Sequence, residues 1–198
     1  MVRVTAEVWI IPGSPALVRE LAPSDGASAR LLAACRALAK SEAAGRGRCL
    51  DVVCSQDERW STEHTGSFRA WGAPQVQVRG GNVLGELVAR YALGDPRVRE
   101  VRGEIGRPDP DAVTVLVVDG PAGLTDRAPL ALVDGAPQQH ERLCGWLGGA
   151  PAGVDKHMPG VLEPQLWHEL ANLAPTRAEL IDHDDTLGVG RYVAVWQC

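Results

Sequence analysis

The stretch VWIIPGSPALVREL, residues 8–21, decides how the chain is read. Val8 to Ile11 are apolar and β-prone, and the run breaks at once on Pro12-Gly13-Ser14-Pro15 before Ala16, Leu17 and Val18 follow. A strand this uniformly apolar belongs in a sheet covered on both faces, which is the usual condition of a parallel sheet. The strand is expected over residues 4–11, with the Pro-Gly-Ser-Pro break closing it.

Outward from there, strand-like and helix-like segments alternate. Leu31, Leu32, Cys35 and Leu38 recur at helical spacing and predict an amphipathic helix over residues 28–44, ended by Gly45-Arg46-Gly47. Residues 50–55 read as a second buried strand. The polar, Trp-containing residues 57–72 read as a long loop, and a loop of that length in a compact domain is usually functional. A short strand is expected over 75–78 and a helix over 83–93, through Leu84, Leu87, Val88 and Tyr91. Residues 98–105 alternate as a strand near a sheet edge does. Residues 113–118 (VTVLVV) form the strongest strand and stop at Asp119-Gly120-Pro121. Helices are expected over 138–147 and 163–173, a brief strand over 179–181 and a last strand over 192–196. The pattern predicts an α/β fold: a single layered domain spanning residues 1–198, with a central mainly parallel sheet and helices on both faces.

The 198 residues suit one substantial core, and 45% apolar with 23% charged residues is a globular composition. The net charge of −5 and the scattered arginines argue against nucleic acid as a partner. No run approaches the roughly 20 apolar residues of a membrane span, and Arg3 and Glu7 stand where a signal peptide needs its apolar region. The expected location is therefore cytoplasmic. Five cysteines without framework spacing are expected as reduced thiols. Cys49 and Cys54 differ by an odd number of positions, so in a strand their sulfurs point to opposite faces.

In mainly parallel sheets ligands gather at the carboxyl ends of the strands. The segments leaving strands there are 12–15, 56–72 and 119–123. The candidate pocket is therefore Pro12, Gly13, Ser14, Gln56, Asp57, Trp60, Arg69, Asp119 and Gly120. Trp60 and Trp71 are candidate pocket or partner-surface residues, while Trp9 and Trp196 are expected in the core. Arg59 and Arg69 are expected to pair with Glu58 and Glu63.

Several marks occur in a fixed order along nearly the whole chain: Ile11-Pro12-Gly13-Ser14-Pro15-Ala16-Leu17-Val18-Arg19-Glu20 after the first strand, then Gly66-Ser67 and Trp71-Gly72 in the long loop. Asp119-Gly120 at the end of the strongest strand, Ala128-Pro129, and a final Gly188-Val189-Gly190-Arg191-Tyr192-Val193-Ala194-Val195-Trp196 complete the series. In this the chain resembles small actinobacterial proteins of the class III extradiol ring-cleavage dioxygenase superfamily, in their subunit-B-like form. The resemblance implies that superfamily's layered α/β scaffold and a non-haem Fe(II) held by two histidines and a carboxylate, with a further histidine for proton transfer. Yet Gly13 stands where the first histidine would be, Ser55-Gln56-Asp57 where Ser-Pro-His is usual, and Asp119-Gly120-Pro121-Ala122-Gly123 carries no histidine. The expectation is a catalytically silent homologue that binds a small molecule or a protein, with no cofactor and with a homo-oligomer left open. The alternative is a working Fe(II)-dependent dioxygenase acting on a catechol, with His64 as its catalytic residue and metal ligands among Asp57, His64 and Asp119.

Other polar marks read more plainly. His140 and His168 lie on expected helices without a second histidine four residues away, so solvated or capping roles are expected, and His157 reads as surface loop. Asp182-His183-Asp184-Asp185 is expected as a solvated loop. Gly188-Val189-Gly190 leads into a strand, which removes a dinucleotide reading. Gly80-Gly81-Asn82 precedes a helix, where its backbone N–H groups could meet an anion and Asn82 is a candidate N-cap; capping alone suffices to explain it.

Overall fold

The computed structural model describes residues 5–151 and 154–198, with residues 43 and 44 described by backbone alone. β1 (Glu7–Ile11) is the apolar run, and Val4 of the expected strand lies outside the described residues. A 3-10 turn at Pro15–Leu17 follows, capped by Ser14, whose Oγ accepts from the Ala16 N–H at 3.3 Å. α1 (Gly26–Ala44) starts two residues ahead of its expected position because Asp25 caps it, accepting from the Ala27 N–H at 3.1 Å. After β2 (Cys49–Val53) the long loop contains 3-10 turns at Glu58–Trp60 and Arg69–Trp71 around a small antiparallel pair, β3 (Ser67–Phe68) and β4 (Ala73–Gln77). Then come α2 (Leu84–Ala92), β5 (Val98–Arg102), β6 (Ala112–Val117), α3 (Ala136–Leu147), α4 (Gln165–Leu170), β7 (Arg177–Asp184) and β8 (Arg191–Gln197).

The main sheet has six strands in the order β5-β2-β6-β1-β8-β7. The first four are mutually parallel, while β8 pairs antiparallel to β1 and β7 antiparallel to β8. The pleat divides the side chains between two cores. Trp9, Ile11, Val113, Val115 and Val117 pack with α1 and α2 on one face, and Val8, Ile10, Leu116 and Val118 pack with α3 and α4 on the other. The result is an α/β layered fold with a mainly parallel sheet between helices. Among the described residues, no helix is long and apolar enough to cross a membrane.

Three local expectations fail for identifiable reasons. β7 runs over eight residues instead of three, and takes in Asp182, His183 and Asp184, which were expected in a loop. It is an edge strand, and charged side chains are what edges carry, so its polarity concealed it. A bulge leaves Ile181 unpaired between Leu180↔Ala194 and Asp182↔Val193. Asn82 does not cap α2: the N-cap position is Val83, without a side-chain cap bond. The Glu86 side chain folds back over that turn instead, where a Cβ on Gly81 (φ 93°) would lie 2.5 Å from its carboxyl carbon.

Candidate functional site

A cavity of about 380 Å³ opens at the carboxyl ends of β1, β2 and β6. Its floor is Gly13 and Ser14 after β1, Cys54 and Ser55 after β2, and Val117 to Gly120 at the end of β6. Trp60 and Trp71 from the long loop form one wall, and Leu162, Glu163 and Leu166 before and on α4 form another. Gly85 lets α2 lie against β2 there, since a Cβ on it would stand 2.5 Å from that of Cys54.

Asp119 is the polar centre of this largely apolar space. Its Oδ1 accepts from the Gly13 N–H at 3.2 Å, and Trp167 Nε1 donates to its backbone carbonyl at 3.0 Å. Part of its surface is open to the cavity, but the protein packed around it pushes its pKa up to about 6, against the pull of the Gly13 N–H, the Arg191 charge and the Ser14 N–H. Gly13 eases this contact: a Cβ there would lie 3.3 Å from Asp119 Oδ2, and the carboxyl would have to yield by a few tenths of an ångström. The Pro-Gly-Ser-Pro break thus brings backbone N–H groups up to a carboxyl group. Cys54 is kept as a thiol, its pKa pushed up to about 12 mainly by burial, which leaves it a poor nucleophile.

Glu163 guards the mouth. Its Oε1 accepts from Ser55 Oγ at 2.9 Å, Arg59 at 2.9 Å and Trp60 Nε1 at 3.0 Å. Arg59 lies over the Trp60 ring, 5.5 Å from its centroid, which fixes the indole as a wall. Arg59 therefore pairs with Glu163 and Asp57, not with Glu58 or Glu63 as its sequence neighbours suggest.

No family model and no curated protein matches the chain. The site is accordingly described by its own geometry. Of the residues singled out in the sequence, Gly13, Ser14, Trp60, Asp119 and Gly120 line the cavity. Gln56 and Asp57 turn instead into a broader neighbouring cleft, shared with Arg102, His168 and Glu169, because the 3-10 turn capped by Asp57 carries the chain outward. Pro12 and Arg69 line neither space, Arg69 being exposed. His64 is also exposed, with its backbone N–H tied to Thr62 Oγ1 at 3.2 Å, so it stands away from both. Glu163 and Cys54 were missed. Glu163 lies more than a hundred positions from Ser55, and only the packing of α4 against the strand ends brings it there.

Gly120 is a further constrained position. Its N–H donates to the Gly190 carbonyl at 2.7 Å, and a Cβ on it would meet Tyr192 Oη at 2.5 Å. Gly120→Ala should destabilise the fold by about 1–3 kcal/mol, since neither the fully buried tyrosine nor the cavity wall can yield cheaply. Urea unfolding would measure it, and a loss below about 0.5 kcal/mol would show that the wall is soft.

Proposed function

We propose that this chain is a divergent, catalytically silent relative of the class III extradiol dioxygenases that keeps the strand-end cavity for binding a small molecule. The observation carrying this reading is Asp119 against the Gly13 N–H in an otherwise apolar cavity, at the position where ring-cleaving relatives would need an imidazole. The order of motifs along the chain supports the scaffold.

Iron does not fit the residues that line the cavity. An oxygen-activating Fe(II) site of this type calls for two imidazoles and a carboxylate. The lining supplies carboxylates in Asp119 and Glu163, one thiol in Cys54 and no histidine, with Glu163 already engaged by three donors. Asp57, His64, Asp119 and Asp185 do not assemble as a metal-ligand group among the described residues.

What the cavity suits is a compact ligand with an apolar or aromatic body and a cationic or hydrogen-donating end. The indoles and aliphatic side chains take the body, and Asp119 accepts from the polar end. Pockets of a few hundred Å³ with few convergent polar groups bind small molecules in this way. Protein reconstituted anaerobically with Fe(II) and then given a catechol in air is expected to retain no stoichiometric iron and to consume no O₂. Retained iron with a yellow ring-opened product would establish the dioxygenase alternative instead.

A further inference from the structure

We propose that His140, Cys144 and His183 form a binding site for a zinc-like divalent metal ion, separate from the strand-end cavity. One donor atom from each of the three residues lies within 4.8 Å of the others, and it is the group of that kind among the described residues. None of the three lines the cavity.

Each residue is brought there by a distinct structural device. His140 and Cys144 are four positions apart on α3, so they share one helix face, and His140 Nε2 lies 3.7 Å from Cys144 Sγ. Ligand bonds of about 2.0–2.1 Å to nitrogen and 2.3 Å to sulfur at a tetrahedral angle separate the two donors by about 3.6 Å, so this pair is already at the right spacing. His183 comes from β7, and the bulge at Ile181 decides its direction. Without the extra residue, Leu180 and His183 would point to opposite faces; with it, both face α3, and the His183 ring stands 5.8 Å from that of His140. His183 is exposed, so its ring can turn to close the triad.

The surroundings support the same reading. Nδ1 of His140 is 2.7 Å from Tyr192 Oη, which leaves Nε2 directed at the site and supplies the outer partner that a ligating imidazole ordinarily has. Gly190 makes that contact feasible, because a Cβ there would stand 2.8 Å from His140 Nδ1 and 2.4 Å from the tyrosine oxygen. Asp185, just past β7, is near enough for its charge to act on both His140 and Cys144. That negative charge favours a cation there, and water would take the fourth position of a tetrahedral ion. Two imidazoles and a thiolate favour Zn²⁺ and related borderline ions over Mg²⁺ or Ca²⁺, which take oxygen ligands. On binding, the Cys144 proton passes to solvent and the thiolate bonds the metal. The ion would clamp the β7 edge to α3.

The test is a Co²⁺ titration of chelator-stripped protein, followed by Zn²⁺ displacement and thermal unfolding. The expected result is one equivalent of Co²⁺ with intense visible bands of tetrahedral type and a thiolate-to-cobalt charge-transfer band, both lost on adding Zn²⁺ and unaffected by Mg²⁺. Cys144→Ser and His183→Ala should each abolish the charge-transfer band and the Zn²⁺-induced rise in Tm, while Cys49→Ser keeps both. His183 is exposed on an edge strand, so its variant should fold even if the buried His140 does not tolerate replacement. Absence of Co²⁺ uptake by the parent protein, or uptake unchanged in Cys144→Ser and His183→Ala, would overturn the proposal.

Discussion

Arg191→Ala is expected to destabilise the protein by about 3–5 kcal/mol, because removing one member of a buried charge cluster strands the others. The Arg191 side chain is fully buried and reaches three residues on two elements: Asp25 at the N-cap of α1 at 3.2 Å, the Ser28 hydroxyl on α1, and Asp184 at the end of β7. Asp184 itself is buried, and without the guanidinium it would keep only the Thr186 N–H and hydroxyl, at 3.1 and 3.0 Å, with Arg30 at 3.9 Å. Asp25, whose pKa lies below its ordinary value through bonds to Ser28 and the Arg191 charge working against desolvation, would lose part of that support and weaken as a cap. Urea unfolding at pH 7 would show the loss as a lowered midpoint with little change in slope. A shift worth less than about 1 kcal/mol would mean that water replaces the guanidinium and that the cluster does not tie α1 to the β7–β8 pair.

Asp119→Asn should do the opposite to stability while weakening binding. The ordinary value of 3.8 rises to about 6 in the folded protein, so folding favours the protonated carboxyl. That preference is fully expressed below about pH 4 and is lost as pH rises through about 6, leaving the folded state to bury a charge at neutral pH. A shift of that size corresponds to about 2–3 kcal/mol, as an order of magnitude. Asparagine keeps the shape, and its oxygen can still accept from the Gly13 N–H. The variant should therefore match the parent protein near pH 4 and exceed it by up to about 2–3 kcal/mol at pH 7.5. Unfolding curves at the two pH values compare them directly. Equal stability at pH 7.5 would place the carboxylate in a better-solvated setting than its packing implies. A carboxylate buried at such a cost is what a binding site predicts, since sites commonly trade stability for function.

The layered fold was legible because buried strands announce themselves. The apolar runs ending at Ile11 and Val118 and the helical spacing of Leu31, Leu32 and Cys35 each reflect a single dominant environment. The cavity floor was legible for the same reason: once a parallel sheet is granted, the breaks after its strands line the crevice at their carboxyl ends. What lay hidden depends on direction and on distant pairing. Spacing fixes no side-chain direction in a loop, so His64 was placed at a pocket from which it turns away, while Trp71, a few residues on, lines it. Glu163 and Ser55 become neighbours only through α4. His140 was expected in a solvated or capping role, yet it is buried under Tyr192, and its approach to His183 rests on one bulged residue that leaves no mark in the sequence.

Calorimetric titration at pH 7.5 with phenethylamine, tryptamine and phenylacetate, into the parent protein and into Asp119→Asn, tests the binding role most directly. The account predicts that an arylalkylamine binds, that the asparagine variant holds it roughly tenfold or more weakly, as loss of a charge-assisted hydrogen bond implies, and that phenylacetate gives no comparable heat. Phenylacetate binding as tightly as the amines, or amine affinity absent or indifferent to Asp119, would contradict it.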